Sequence, residues 1–188
     1  MRLLAHLQET HMNPFIFLID TLFYFYTLLL MLRLLLQWVR ADFYNPMSQF
    51  IVKVTSPVVV PLRRLIPGIG GLDIATLILV LAFTCIKILL ISLIMGAPFN
   101  VIWLVFSAIV ETFILLLDIF LYSIFILAIL SWINPDPYHP VAALLRSLSK
   151  PVMKPLQQRI PPVGGLDISP LIAIILILFI KQSLRYFL

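Results

Sequence analysis

Four stretches of this chain are apolar for long enough to cross a bilayer: Pro14 to Trp38, Ile74 to Met95, about Ile109 to Ile133, and Ile168 to Leu188. A helix rises about 1.5 Å per residue, so roughly 20 such residues span the roughly 30 Å of hydrocarbon. The composition agrees, with 62% of residues hydrophobic and 11% charged, against about half and a quarter in a soluble domain. The expected fold is an all-α membrane protein with four transmembrane helices. No small-residue cleavage pattern follows the first apolar run, which is therefore read as a retained helix rather than a signal. The single cysteine, Cys85, lies inside the second run and cannot form an intrachain disulfide.

The net charge of +5 matters less than where it falls. Arg40, Lys53, Arg63 and Arg64 lie between the first two runs, and Arg146, Lys150, Lys154 and Arg159 between the last two. The opposite side carries Arg2 and Arg185. By the positive-inside rule both long connectors face the cytoplasm and both termini the periplasm of a bacterial inner membrane.

A shift of 94 residues lays the chain on itself. Trp38 falls on Trp132, Asp42 on Asp136, Tyr44 on Tyr138, Pro57 on Pro151 and Pro61 on Pro155. "IPGIGGLDI", Ile66 to Ile74, falls on "IPPVGGLDI", Ile160 to Ile168. From Trp38 to Ile74 there are about fifteen identities in roughly thirty-seven ungapped positions, and even Lys87 meets Lys181. The chain is a tandem duplication of a helix, a long connector and a helix. Two spans per unit leave both units in one orientation, so the repeats are parallel hairpins. The units are residues 1–96 and 109–188. Residues 97–108 between them are expected to form a linker or a short interfacial helix, because one helix through this segment and the next run would reach about 50 Å, too long for a single crossing.

Each connector is expected to hold an amphipathic helix in the headgroup plane. Val141, Leu144, Leu145, Leu148 and Val152 recur at helical spacing, with Arg146, Ser149 and Lys150 on the other side, and Pro140 suits the first turn. Phe50, Ile51 and Val54 with Lys53 repeat the pattern loosely. Trp38, Trp132, Tyr44 and Tyr138 stand where an interfacial belt belongs. Pro57, Pro61, Pro151 and Pro155 are expected to interrupt these helices, since each removes a backbone donor. The phrase that follows is a re-entry corner. Gly70, Gly71, Gly164 and Gly165 permit positive φ, and Asp73 and Asp167 suit the N-cap of the returning helix. The caps argue against an anion held at the same place, whereas Arg63 and Arg64 suit a lipid headgroup.

These residues resemble the YggT family, with its organelle and YlmG-type bacterial relatives. Two copies of a P-x-x-x-P-L-R-R-x-I-P-x-x-G-G-L-D-x-[ST]-P pattern, each preceded by a Trp, cover nearly the whole chain. Repeat one keeps Arg63 and Arg64 but has Ala75 and Thr76 where the family often has Ser-Pro. Repeat two keeps Ser169 and Pro170 but has Gln157 and Gln158 in place of the arginines, so a ligand of the pair would bind repeat two weakly or not at all. The resemblance implies an integral membrane protein. It connects the chain with assembly or cofactor attachment of membrane cytochromes in plastids, with division-related gene neighbourhoods and with osmotic tolerance in bacteria, and it identifies no reaction.

Asp20, Arg33, Lys87, Glu111, Asp118 and Lys181 lie within the apolar runs. A charge there costs several kcal/mol, to order of magnitude, unless it is paired or hydrated. Lys87, Lys181 and Asp118 sit at similar depth, roughly 20 Å from the connector side. Asp118 is thus expected to pair with Lys181 or with Lys87. Asp20 is within reach of a snorkelling lysine or the outer interface, and Arg33 of the cytoplasmic headgroups. One reading makes these residues locks and snorkellers. The sharper one makes Asp20, Lys87, Asp118 and Lys181 a polar pathway.

No constellation supports catalysis. His6, His11 and His139 have no metal-ligand spacing, and no nucleophile elbow, Walker loop or dinucleotide fingerprint occurs. Neither a metal nor a cofactor is expected, and basic residues interleaved with prolines and aliphatics do not suit nucleic acid. Two functions are carried forward. The first is an assembly or scaffolding factor whose connectors (Lys53, Arg63, Arg64, Arg146, Lys150, Lys154 and Arg159) touch anionic lipid or a membrane-protein partner. The second is a channel or small transporter formed by a homo-oligomer.

Overall fold

The computed structural model describes residues 13–68, 71–98, 100–133, 139–161 and 167–186. Among these are six helices and no strand: α1 (Pro14–Trp38), α2 (Pro46–Leu65), α3 (Ile74–Ile94), α4 (Val101–Ile133), α5 (Pro140–Gln157) and α6 (Ser169–Arg185).

Local chemistry sets most of the ends. Asn13, Asn45 and Asp73 accept a first-turn N–H of α1, α2 and α3 respectively. Proline stands at the start of α1, α2, α5 and α6, where its missing N–H has no helical partner to lose. α3 ends at Gly96, whose φ of 64° lets Ala97 donate back to Ser92 at 3.0 Å.

Three of the helices, α1, α3 and α4, are long and apolar enough to cross a membrane. The fourth expected span corrects to a shorter element. α6 has 17 residues, about 26 Å of helix: Pro170 fixes its start, and its last turns carry Lys181, Gln182 and Arg185. The linker or short interfacial helix expected over residues 97–108 is also corrected from Val101 onward. α4 begins at Val101 and runs 33 residues to Ile133, because the breakers Gly96 and Pro98 lie ahead of it and no glycine or proline lies within it.

The connector prolines do not interrupt their helices either. α2 contains Pro57 and Pro61, and α5 contains Pro151 and Pro155. Each removes a donor and crowds the carbonyl four residues back, but hydroxyls pin the preceding turn. Thr55 donates to the Ile51 carbonyl at 2.6 Å and Ser56 to that of Val52 at 2.5 Å, while in α5 Ser147 reaches Ala143 at 3.1 Å. Packing holds the rest. Ile51, Thr55 and Val59 of α2, and Leu144, Leu148 and Ser149 of α5, are buried. Ser149 therefore belongs to the inner face, not to the outer face expected for it, whereas Phe50 is exposed. Trp38 and Tyr44 are exposed, and the side chains of Trp132 and Tyr138 lie outside the described residues.

The core runs through all six helices, around Leu30, Leu36, Val59, Val80, Ile124, Leu148 and Ile177. α1 packs most extensively on α3, and α4 on α5 and α6. The two halves interlock where α3 meets α4 and α2 meets α5. There the Asn45 amide donates to the Pro140 carbonyl at 2.7 Å. The two basic connectors thus share one end of the bundle.

Candidate functional site

The apolar helices carry their charges as pairs. Lys87 of α3 lies 2.6 Å from Glu111 of α4 and 3.3 Å from Asp20 of α1. Lys181 of α6 bonds Asp118 of α4. The pairing expected of Asp118 and Lys181 is present, and Asp20 has found its lysine. Glu111 as the closer partner of Lys87 was not foreseen. The two lysines are repeat equivalents, but their partners are not. Asp118 falls on Tyr24, one helical turn beyond Asp20, and Glu111 falls on Phe17.

Arg33 departs from expectation. It does not extend to headgroups but is buried at 8% exposure. Its guanidinium donates to the hydroxyls of Thr55 at 2.9 Å and Ser56 at 3.2 Å and to the Val52 carbonyl at 3.3 Å. The reason is proximity: α2 folds back along α1 just ahead of Pro57, and three acceptors there satisfy a charge that would otherwise face lipid.

Two cavities lie among the pairs. The polar one, about 290 Å3, is lined by Tyr24, Thr27, Thr84, Lys87, Glu111, Ile114, Leu115, Asp118 and Arg185. The apolar one, about 330 Å3, is lined mainly by α1 (Leu28, Leu32), α2 (Met47, Ile51), α4 (Ile119, Tyr122, Ile126) and α5 (Val141, Leu144, Leu145, Leu148). Tyr24 and Asp118 border both. Tyr24, Thr27 and Thr84 are not among the residues that the sequence singles out, and Arg185 is singled out there only for its side of the membrane. The signal of the first three is faint: hydroxyl residues inside otherwise aliphatic helices.

The two corners differ. In the first, Asp73 is fully buried. It accepts from the Thr76 N–H at 3.2 Å and hydroxyl at 2.7 Å, and Arg63 lies 3.2 Å away. Arg63 also donates to Gln37 at 2.8 Å, so this candidate contact for lipid or partner is engaged inside the chain. Gly71 has φ 87°, the positive value expected of it. In the second corner Asp167 is exposed and accepts from Gln157 at 2.8 Å and the Ser169 N–H at 2.9 Å. It stands one residue ahead of the N-cap position of α6, held by Ile168. The neighbouring Ser169 side chain, the Gln157 amide and the Ser169 N–H draw its pKa below the usual carboxylate value. The Ser169 hydroxyl itself is outside hydrogen-bond geometry, so the amide and the N–H are the bonds that hold the charge. Gly70, Gly164 and Gly165 lie outside the described residues.

The remaining connector cations point outward. Lys53, Arg64, Lys150, Lys154 and Arg159 are exposed, as is Arg146, whose Nε reaches back to the Ala142 carbonyl at 3.3 Å.

The model of the CCB3/YggT family matches the chain twice, over residues 12–94 and 106–188. An uncharacterized protein of Pseudomonas aeruginosa is 42% identical over 161 residues, covering 84% of this chain and 81% of its own. The uncharacterized protein YggT of Escherichia coli is 37% identical over 173 residues, covering 92% and 89%. An uncharacterized protein of Vibrio alginolyticus is 38% identical over 180 residues, covering 94% of both. No solved structure matches. The chain belongs to the CCB3/YggT family.

Proposed function

With that membership as premise, we propose that this multi-pass membrane protein is a non-catalytic assembly scaffold of the bacterial inner membrane. Two parallel hairpins make up the body, with α6 as a short fourth crossing, the connectors cytoplasmic and the ends of the chain periplasmic. The observation that carries the reading is the division of charge. Each intramembrane charge, Asp20, Arg33, Lys87, Glu111, Asp118 and Lys181, has a partner inside the bundle. Among the described residues, apart from Arg40 in the turn after α1 and Arg185 at the far end of α6, the exposed cations gather on α2, α5 and the turn after α5, at one end. Internal pairs fix helix positions, and exposed cations beside apolar side chains such as Phe50, Val60 and Leu65 suit anionic headgroups or an acidic membrane partner.

Native mass spectrometry of the protein extracted in its own lipid patch tests this. The expected result is a stoichiometric foreign membrane protein, lost when Lys53, Arg64, Lys150, Lys154 and Arg159 are all changed to Ala while the melting temperature holds. A closed ring of identical chains carrying only lipid overturns it. The polar cavity beside Lys87 and Asp118 favours a second reading, a homo-oligomeric channel or small transporter. Salt-loaded liposomes that leak with the protein, and less with Asp118→Asn, support that one.

A further inference from the structure

The two cavities adjoin at Tyr24 and Asp118, and their surroundings change in order along the bundle. Arg185, in the last turn of α6, borders the polar cavity at the end remote from the connectors. Leu144 and Leu148 of α5 border the apolar cavity at the connector end. A molecule filling both would be polar at one end and apolar at the other.

Charge defines the polar end. Asp20, Glu111 and Asp118 stand against Lys87, Lys181 and Arg185, so the group is neutral as a whole. A ligand with net charge would leave that charge uncompensated in a low dielectric, and a zwitterion would not. Unused bonding capacity is present for both signs. Glu111 meets Lys87 through Oε2 and Asp118 meets Lys181 through Oδ1, and each carboxylate has a second oxygen with which to accept from a ligand. Arg185 has no anionic partner among them.

We infer that the adjoining cavities hold one phospholipid with a phosphate and a primary ammonium in its headgroup. The phosphate lies at Arg185, the ammonium at Glu111 and Asp118, and an acyl chain in the apolar cavity between the repeats. A guanidinium is the natural phosphate partner. A primary ammonium offers three N–H donors to the carboxylate oxygens of Glu111 and Asp118, and a trimethylated one offers none. The site is separate from the connector cations and does not depend on the scaffold role.

The test is native mass spectrometry of the purified protein in detergent, titrated with phosphatidylethanolamine, phosphatidylcholine and phosphatidylglycerol of identical acyl chains. One phosphatidylethanolamine per chain is expected to survive activation that strips the others, retained at least tenfold better than either competitor. Ile126→Trp, on a partly exposed wall of the apolar cavity, is expected to lower that retention tenfold or more. Arg185→Gln, exposed at a helix end, lowers it severalfold and carries the test if the tryptophan variant does not fold. Equal retention of the three lipids overturns the proposal. So does a preference for phosphatidylglycerol, which places the lipid on the connector cations, or retention unmoved in Arg185→Gln.

Discussion

Repeat one ties its connector to its first helix and closes its corner with buried polar bonds, whereas repeat two keeps one ion pair between its apolar helices and an exposed amide contact at its corner. Arg33 ties α1 to α2 through three acceptors, and its equivalent in α4 is Leu127. Arg63 and Thr76 close the first corner on a buried Asp73, and their equivalents are Gln157 and Pro170, around an exposed Asp167. Lys87 has two acids and Lys181 one. A duplicated unit therefore does not need the same lock in each copy. It needs every charge placed in the bilayer to be met.

The largest effects are expected at the lysine pairs. Asp118→Ala leaves Lys181 without its acid in a largely buried place and is expected to lower stability by about 3 kcal/mol, read as melting temperature and folded yield in detergent. Exchanging the two residues, Asp118→Lys with Lys181→Asp, restores most of the yield. No recovery in the exchange removes the pair as a lock. Asp20→Ala, on a side chain 54% exposed and with Glu111 still in place, should lose under about 1 kcal/mol.

Arg33 comes next. Arg33→Leu writes repeat two's residue into repeat one, removing the buried charge together with its bonds. The Thr55 and Ser56 hydroxyls keep their own carbonyls, so a loss near 1 kcal/mol is expected. Arg33→Ala adds a cavity and should cost about 1–2 kcal/mol more. Equal melting temperatures for the two variants would show that packing at this position is immaterial.

The corners give smaller effects. Asp73→Asn is expected to cost about 1–2 kcal/mol and Asp167→Asn a few tenths, because only the first is buried and bonded on all sides. The pH dependence has a definite sign. The folded pKa of Asp167 lies below the unfolded one, so the unfolded chain binds more protons between the two values. Its small contribution is complete above about pH 4 and is lost as pH falls through the folded pKa. Comparing acid titrations of wild type and Asp167→Asn reads the difference. Smallest of all, Gln157→Arg installs repeat one's pair beside an exposed carboxylate and should gain at most about 0.5 kcal/mol. A larger gain would show that the second corner buries its Asp on pairing.

Much of this was legible because it is local. The Asp73 cap, the prolines at the helix starts and the positive φ of Gly71 follow from residues within four positions of one another. The continuity of α2 and α5 was not legible. A proline in isolation predicts a stop, and the compensating Thr55, Ser56 and Arg33 contacts include one from another helix. Arg33 follows the same logic: its nearness to Trp38, at the end of the apolar run, points to lipid headgroups, and α2 supplies acceptors first.

The residues alone mark the chain as helical, as apolar enough for a membrane and as built twice from one unit, and they place the turn at Gly71. It takes the packed bundle to say which acid meets which lysine, that the polar and apolar cavities adjoin at Tyr24 and Asp118, and that Arg63 closes a corner. The physical reason lies in the helices themselves. α1, α3 and α4 are apolar on all sides, so no stripe marks the face that each turns inward. Each residue advances a helix by about 100° of rotation. The partner of a buried charge therefore depends on how each helix is rotated against its neighbours, and that rotation is set by packing across the whole bundle.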